Sequence, residues 1–442
     1  MKKIFNFLII LFSLTFIFDI SCNNPTSPPK PKPENPKAIK LKLLDVSCTE
    51  AFIKVTASDT VLPVNINLTK DDSSLFNFIL TQNDTVVIDT TLLPNKTYIY
   101  QTTAEIKGKT EKSDTIQVES LDTTSDNFNW QIYAFGNPNY GSSTLFDVSV
   151  VNENNIWAVG EIHNDTTGLL YNAAHWGGSS WELKRISVQY HGNLITPPLY
   201  GVYAFSATDI WFSSGVPIYG DGTNWTQYHL FDMGILGQDD GYLTKIWGTS
   251  SSNIYYVGTL GTIVHYQNGT WSKIESGTTT NINDIWGYYN TSSNRGSVLC
   301  VASNIFHQGE YRLLAVSGSV AHDTLNWSYT DWLKGVWFKN QYSPVYICGS
   351  GVKMYKNNNW SLINLPNYFT EAIRGENTNN IYVVGDFGVV AHFNGMRWKT
   401  IDELFGIGKF LGLSVKDNTV AICGYSASGG IVGSSIVIIG KK

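Results

Sequence analysis

From residue 127 onward the chain repeats, and no other feature restricts its fold as tightly. One signature is an Asn or Asp turn followed by an apolar run, usually ended by Gly: Asn155-Ile156-Trp157-Ala158-Val159-Gly160, Asp209-Ile210-Trp211, Asn253-Ile254-Tyr255-Tyr256-Val257-Gly258 and Asn380-Ile381-Tyr382-Val383-Val384-Gly385. Val345-Tyr346-Ile347-Cys348-Gly349 and Val420-Ala421-Ile422-Cys423-Gly424 continue it, and Val298-Leu299-Cys300-Val301 fills the remaining gap. The step is about 44 residues, the length of a four-stranded propeller blade. A second signature runs aromatic, turn, Trp: His175 to Trp181, Tyr219 to Trp225, His265 to Trp271, Tyr355 to Trp360 and His392 to Trp398. Asn268-Gly269 and Asn394-Gly395 within it read as type I′ hairpin turns, which need positive φ at both central residues. The Trp then opens the fourth strand. A third signature, Lys245-Ile246-Trp247-Gly248, Asp284-Ile285-Trp286-Gly287, Gly335-Val336-Trp337 and Ala372-Ile373-Arg374-Gly375, marks the innermost strand.

Seven units result, and the seventh, about 410–439, has no closing Trp. A copy of that strand, Phe128-Asn129-Trp130-Gln131-Ile132, stands before the first unit instead. The expectation is an all-β chain whose residues 127–442 form a seven-bladed β-propeller closed by an N-terminal strand, since closure removes an exposed sheet edge. A solenoid of β-units leaves the displaced strand unexplained. The signatures resemble sialidase-like and kelch-like propellers, in particular those related to photosystem assembly factors. Asp221-Gly222-Thr223-Asn224-Trp225 is the turn nearest to an Asp-box, without the full spacing of one.

Residues 38–121 hold short alternating runs: 51–55, 64–68, 76–80, 86–88, 98–100 and 115–118. They suit a two-sheet sandwich. Leu92-x-Pro94-x-x-x-Tyr98-x-Tyr100 resembles the E–F corner of fibronectin type III domains, which implies that a Tyr hydroxyl returns to an upstream backbone group. Cys48 reads as a small buried thiol. Upstream, Lys2 and Lys3 precede an apolar stretch, then Ser21-Cys22. This is an export signal over 1–21. Its end resembles a bacterial lipoprotein cleavage site, implying that Cys22 carries the lipid; an uncleaved anchor, or an ordinary signal with an incidental Cys, are the alternatives. Residues 22–37 form a Pro-rich linker favouring extended polyproline II. The expected address is the cell envelope, lipid-anchored at the outer membrane.

With 30 Lys+Arg against 36 Asp+Glu and no basic block, the chain is not a nucleic-acid binder. Five Cys are too few for a disulfide scaffold. His175, His265 and His392 occupy one repeated slot, filled by Ile218 and Met354 in other blades, so they read as packing and not as metal ligands. Cys300, Cys348 and Cys423 likewise read as one apolar slot shared with Val257 and Val384. The five arginines, Arg185, Arg295, Arg312, Arg374 and Arg397, show no convergence of the kind a sialidase needs. Asp147, Asp284 and Glu371, beside inner strands, read as turn caps. No metal, no cofactor and no enzymatic activity are expected. The candidate binding site is the channel mouth, where the inner-strand register aligns Ser149, Tyr203, Trp247, Trp286, Trp337, Arg374 and Ser414; such a set suits a sugar ring or a peptide loop. The function expected is a non-enzymatic interaction module for an envelope protein or glycan, the rival being a carbohydrate-active propeller, lectin or hydrolase, with Asp147 and Asp284 as its carboxylates. A third possibility, an assembly factor for a membrane complex, is what the family resemblance implies.

Overall fold

The computed structural model describes residues 38–442, apart from 59–60, 165–168, 291–294, 305–309 and 429–430. The signal segment, Cys22 and the Pro-rich linker lie outside the described residues. Residues 38–121 form two antiparallel sheets. One joins Ile39–Val46, Ala51–Ala57 and Asp84–Asp89; the other centres on Val64–Lys70 and Thr97–Ile106, with Ser73–Leu80, Lys109–Lys112 and Ile116–Glu119 beside them. Ile53, Val55, Ile66, Leu68, Tyr100 and Val118 are buried between the sheets. The strand Ile39–Val46 escaped the sequence reading because Leu43-Leu44 interrupts its alternation. The pairing skips a residue there, between Leu43 and Asp45. At the corner, Leu93 N–H donates to the Tyr98 hydroxyl at 2.8 Å, and Tyr100 donates to the buried Asp89 at 2.6 Å.

Beyond this unit the fold is a β-propeller. Among the described residues there are seven four-stranded antiparallel sheets: blades 1 to 6 span 144–184, 201–227, 243–274, 282–323, 333–362 and 370–400. In blade 7, Gly408–Lys416, Thr419–Ser428 and Ile431–Lys441 are completed by Asn129–Phe135, which pairs with the last strand from Ser435↔Phe135 to Lys441↔Asn129. First strands of successive blades touch around a closed circuit, blade 7 meeting blade 1. The closing Trp lies on a flat neighbour. Trp225 covers Gly220 and Trp130 covers Gly440, where an added Cβ would stand 2.1 and 2.3 Å from the indole.

The aromatic-glycine pairs of the inner strands have a packing cause. Phe205 rests on Gly248, Trp247 on Gly287 and Trp337 on Gly375, each ring from one blade against the glycine of the next. A side chain at the glycine would displace the ring, so large and small alternate around the axis.

The 38–121 unit docks, among the described residues, on one face of the propeller. Asp45 meets Lys339 at 2.6 Å and Asn340 at 3.1 Å; Glu50 meets Lys356 at 2.7 Å; the Phe52 and Tyr342 rings lie 5.6 Å apart. Asn379 Nδ2 donates to Asp122 O at 2.7 Å. These propeller residues belong to turns joining first to second and third to fourth strands in blades 5 and 6. Cys48, buried in this contact, donates its S–H to Asp122 O at 3.3 Å and packs against Gly395.

Two turn expectations divide. Asn268-Gly269 has positive φ at both residues, 48° and 90°, as type I′ requires. Asn394-Gly395 does not: only Gly395 is positive, and the Asn394 side chain accepts from Met396 and Arg397 N–H in a four-residue turn. The Asp221 turn has the same design, Asp221 Oδ1 accepting from Thr223 and Asn224 N–H. The Asn224 side-chain amide, donating to Asp221 Oδ2 at 2.9 Å, together with these N–H bonds holds the Asp221 carboxyl well below the usual range.

Candidate channel-mouth site

Inner strands carry the residues around the axis, and each keeps one edge free of a strand partner. Side chains of the preceding blade supply the missing bonds. Val202 N–H donates to Asp147 Oδ2 at 3.3 Å and Ala204 N–H to Ser149 Oγ at 3.1 Å. Val336 N–H donates to Asp284 Oδ2 at 3.0 Å and Val150 N–H to Ser414 Oγ at 3.0 Å. Buried backbone donors require such partners. The carboxylates are also ion-paired: Asp147 with Lys245 at 3.0 Å, and Asp284 with Arg374 through two 2.7 Å bonds. Glu371 joins Lys334 at 3.2 Å and Lys409 at 2.6 Å. Lys334 and Glu371 owe their placement to a recurring irregularity, because in six of the seven first strands the pairing skips one residue near the start.

Within this frame a cavity of about 260 Å³ is lined by Ser149, Tyr203, Phe205, Trp286, Arg374 and Ser414, among others. Trp286 is partly exposed; its indole N–H donates to Phe338 O at 2.9 Å, and the Arg374 guanidinium sits 4.9 Å over its ring. Tyr203 is partly exposed, and burial pushes its phenol up to about 12. Arg374 remains charged, the Asp284 carboxylate outweighing its burial. The cavity thus offers three aromatic rings, the Ser149 and Ser414 hydroxyls and a cation whose donors are already directed at Asp284 and at the Val336 and Ile373 carbonyls.

Two of the seven aligned residues are elsewhere. Trp247 and Trp337 are 4% and 1% exposed, enclosed by the blade cores on Gly287 and Gly375, so neither is available to a ligand at the mouth. Register aligned them correctly, but the adjacent glycine draws a Trp sideways between blades.

The histidine slot is a small motif that the sequence reading only half resolved. His175 meets Asn155 at 3.1 Å, His265 meets Asn253 at 2.6 Å and His392 meets Asn380 at 3.2 Å. Each ring stacks on the aromatic two residues after that Asn: Trp157, Tyr255 and Tyr382, at 4.3, 3.9 and 4.4 Å. The blade 2 equivalent is Tyr219, which pairs with Trp211, and not Ile218, which pairs with Phe212. The Asn-x-aromatic spacing was the signal that could have shown this. Burial lowers all three histidines. The cysteine slot needs a similar correction: Cys348 and Cys423 align with Val257 and Val384, whereas Cys300 sits one residue away, opposite Ile285, on the other side of its blade. All three are buried and free, and burial pushes their thiols up. Among the described residues, no group of three or more His, Cys, Asp or Glu is placed to hold a metal ion.

No family model matches the chain. No curated protein matches it. Among solved structures it is similar to YCF48 bound to D1 peptide, with 14% identity and a TM-score of 0.51 over 72% of this chain and 97% of the other. A Cps50 (Swd1) β-propeller domain from Myceliophteria thermophila matches at 7% identity and a TM-score of 0.44, covering 70% of this chain and 99% of that one. The C-terminal WD40 domain of Sif2 matches at 12% and 0.39, covering 77% and 91%. What the first of these likenesses establishes is the fold: this chain carries a β-propeller.

Proposed function

We propose that this is a lipid-anchored envelope protein, held through Cys22 at the outer membrane, whose propeller is a non-enzymatic interaction module for a protein or glycan. The observation that carries the reading is the use already made of the channel carboxylates. Asp147 and Asp284 each cap a backbone N–H and hold a cation. A hydrolase needs carboxyl groups free to exchange a proton or attack a sugar. Tyr203, Trp286, Ser149 and Ser414 offer stacking and hydroxyl contacts instead. The 38–121 unit reads as a fibronectin type III-like spacer, supported by the Leu93–Tyr98 corner bond. Because the similar YCF48 structure holds a D1 peptide, a peptide is the first ligand class to try here.

The test uses the purified chain on a glycan array and a peptide array, beside a glycosidase assay. Saturable binding weakened by Tyr203→Ala, without turnover, supports the reading. Turnover abolished by Asp147→Asn or Asp284→Asn would replace it with the carbohydrate-active one. For the anchor, Cys22→Ala should move the protein from the membrane to the soluble fraction; unchanged fractionation removes that part.

A further inference from the structure

The face opposite the sandwich is built from loops joining second to third strands and each fourth strand to the next blade. At blade 6 these loops bring together Tyr368, Phe387 and Phe405. Tyr368 lies 5.7 Å from Phe387 and 5.4 Å from Phe405, ring centre to ring centre. Phe387 is 63% and Phe405 50% exposed, so the cluster faces water. Phe387 also has a φ of 56°, a left-handed conformation unfavourable for a bulky residue. Gly406 N–H donates to Phe387 O at 2.7 Å, which fixes the two loops to each other. The matching turn of blade 3 holds Leu260 at a φ of 51°, so the left-handed position belongs to the turn, and what sets blade 6 apart is the aromatic cluster it presents to water.

Beside the cluster is a cavity of about 240 Å³ with Val389, Val390 and Ile401 within it, Tyr368 and Phe405 as walls and Asp402 among its lining residues. Nearby Asp386 and Glu371 are neutralised by Lys409, at 2.9 and 2.6 Å. Asp402 and its neighbour Glu403 are exposed and have no ion pair among the described residues. An apolar pocket with the unpaired Asp402 carboxylate in its lining and Glu403 next to it in the chain calls for an apolar side chain next to a cation.

We propose that this corner docks a basic, apolar segment of a protein partner: an aliphatic or aromatic side chain enters the pocket and an adjacent Lys or Arg meets Asp402 and Glu403. The carboxylates repel an anionic lipid surface, which sets a peptide ahead of a membrane. The site shares no residue with the channel mouth, so the two readings fail separately.

The experiment selects random twelve-residue peptides displayed on phage against the full chain, then titrates the recovered sequences as synthetic peptides. The expected sequences place Lys or Arg beside Leu, Ile or Phe. Their affinity should fall about tenfold in Phe405→Ser and in Asp402→Lys, and stay unchanged in Tyr203→Ala. Both docking-site variants should keep the parent melting temperature, their side chains being exposed. Enrichment of sequences lacking basic residues, or of none, overturns the proposal. So does binding that survives both docking-site variants, or that only Tyr203→Ala removes, which would move the site to the channel. Binding to phosphatidylglycerol vesicles lost in Phe405→Ser, or a concentration-dependent dimer lost in the same variant, would replace the peptide with a membrane or a second copy.

Discussion

Arg374 of blade 6 reaches past blade 5 to take both carboxylate oxygens of Asp284 in blade 4, each at 2.7 Å. The bond ties three consecutive blades together, because Asp284 also accepts from Val336 of the blade between. Both side chains are nearly enclosed, 4% and 14% exposed. Losing one partner leaves an uncompensated buried charge, so Asp284→Ala or Arg374→Met should each cost about 3–5 kcal/mol. The double variant should cost clearly less than the sum. Urea unfolding of the four proteins measures this, and simple additivity would show that the pair is not coupled.

His392 should make stability depend on mild acid. Burial pushes it down to about 4 from 6.5, against the pull of Asp126 at 2.9 Å and with a smaller downward push from Lys442 and Lys399. In that window the unfolded chain binds a proton that the folded chain refuses, so stability falls as pH drops from about 6.5 to 4. The contribution is on the order of 3 kcal/mol. His175 and His265 act in the same direction. His392→Gln should therefore flatten the dependence of the melting temperature on pH in that interval without abolishing it. An unaltered slope would contradict the assignment.

Closure depends on a glycine. A Cβ on Gly440 would meet the Trp130 ring at 2.3–2.7 Å, a flat surface that cannot yield by bending one end. Gly440→Val should cost about 1–3 kcal/mol by overpacking. Adding Trp130→Leu should recover part of the loss, as chemical denaturation of the single and double variants would reveal.

Four thiols should be silent in the folded protein. Cys48, Cys300, Cys348 and Cys423 are free and 0–1% exposed, with Cys48 pushed up to about 11, mainly by burial and further by Asp122. The thiolate is the reactive form. With Cys22 replaced, alkylation by iodoacetamide at pH 8 should modify none of them natively and all of them in guanidinium. A fast-reacting native thiol would mean that a blade opens.

The periodic signatures made the propeller legible: Trp157, Tyr255 and Tyr382 fall at matched positions, and the surplus Trp130 segment pointed to the pairing with Gly440. Side-chain destination was harder to read. Trp247 and Trp286 share a register position and the same Ile-Trp-Gly sequence, yet Trp247 finds Gly287 in the next blade while Trp286 finds Phe338. Only the neighbouring blade decides between burial and the channel wall. The sandwich contact was illegible for the same reason: Asp45 and Lys339 lie 294 residues apart. Phe387 gives no signal in the sequence, because exposure and a left-handed φ come from the fold and not from an apolar residue between Asp386 and Gly388.

The last sheet joins Ser435 to Phe135, 300 residues earlier. During synthesis the first-made strand of that sheet, Asn129–Phe135, must therefore wait for the other three, with its hydrogen-bonding edge open, until nearly every intervening residue has been made. A late-closing, long-range contact of this kind is slow and aggregation-exposed. Assembly of the disc is thus a race between completion and misassociation, and a chaperone that shields the waiting edge would gain most just before the final segment arrives.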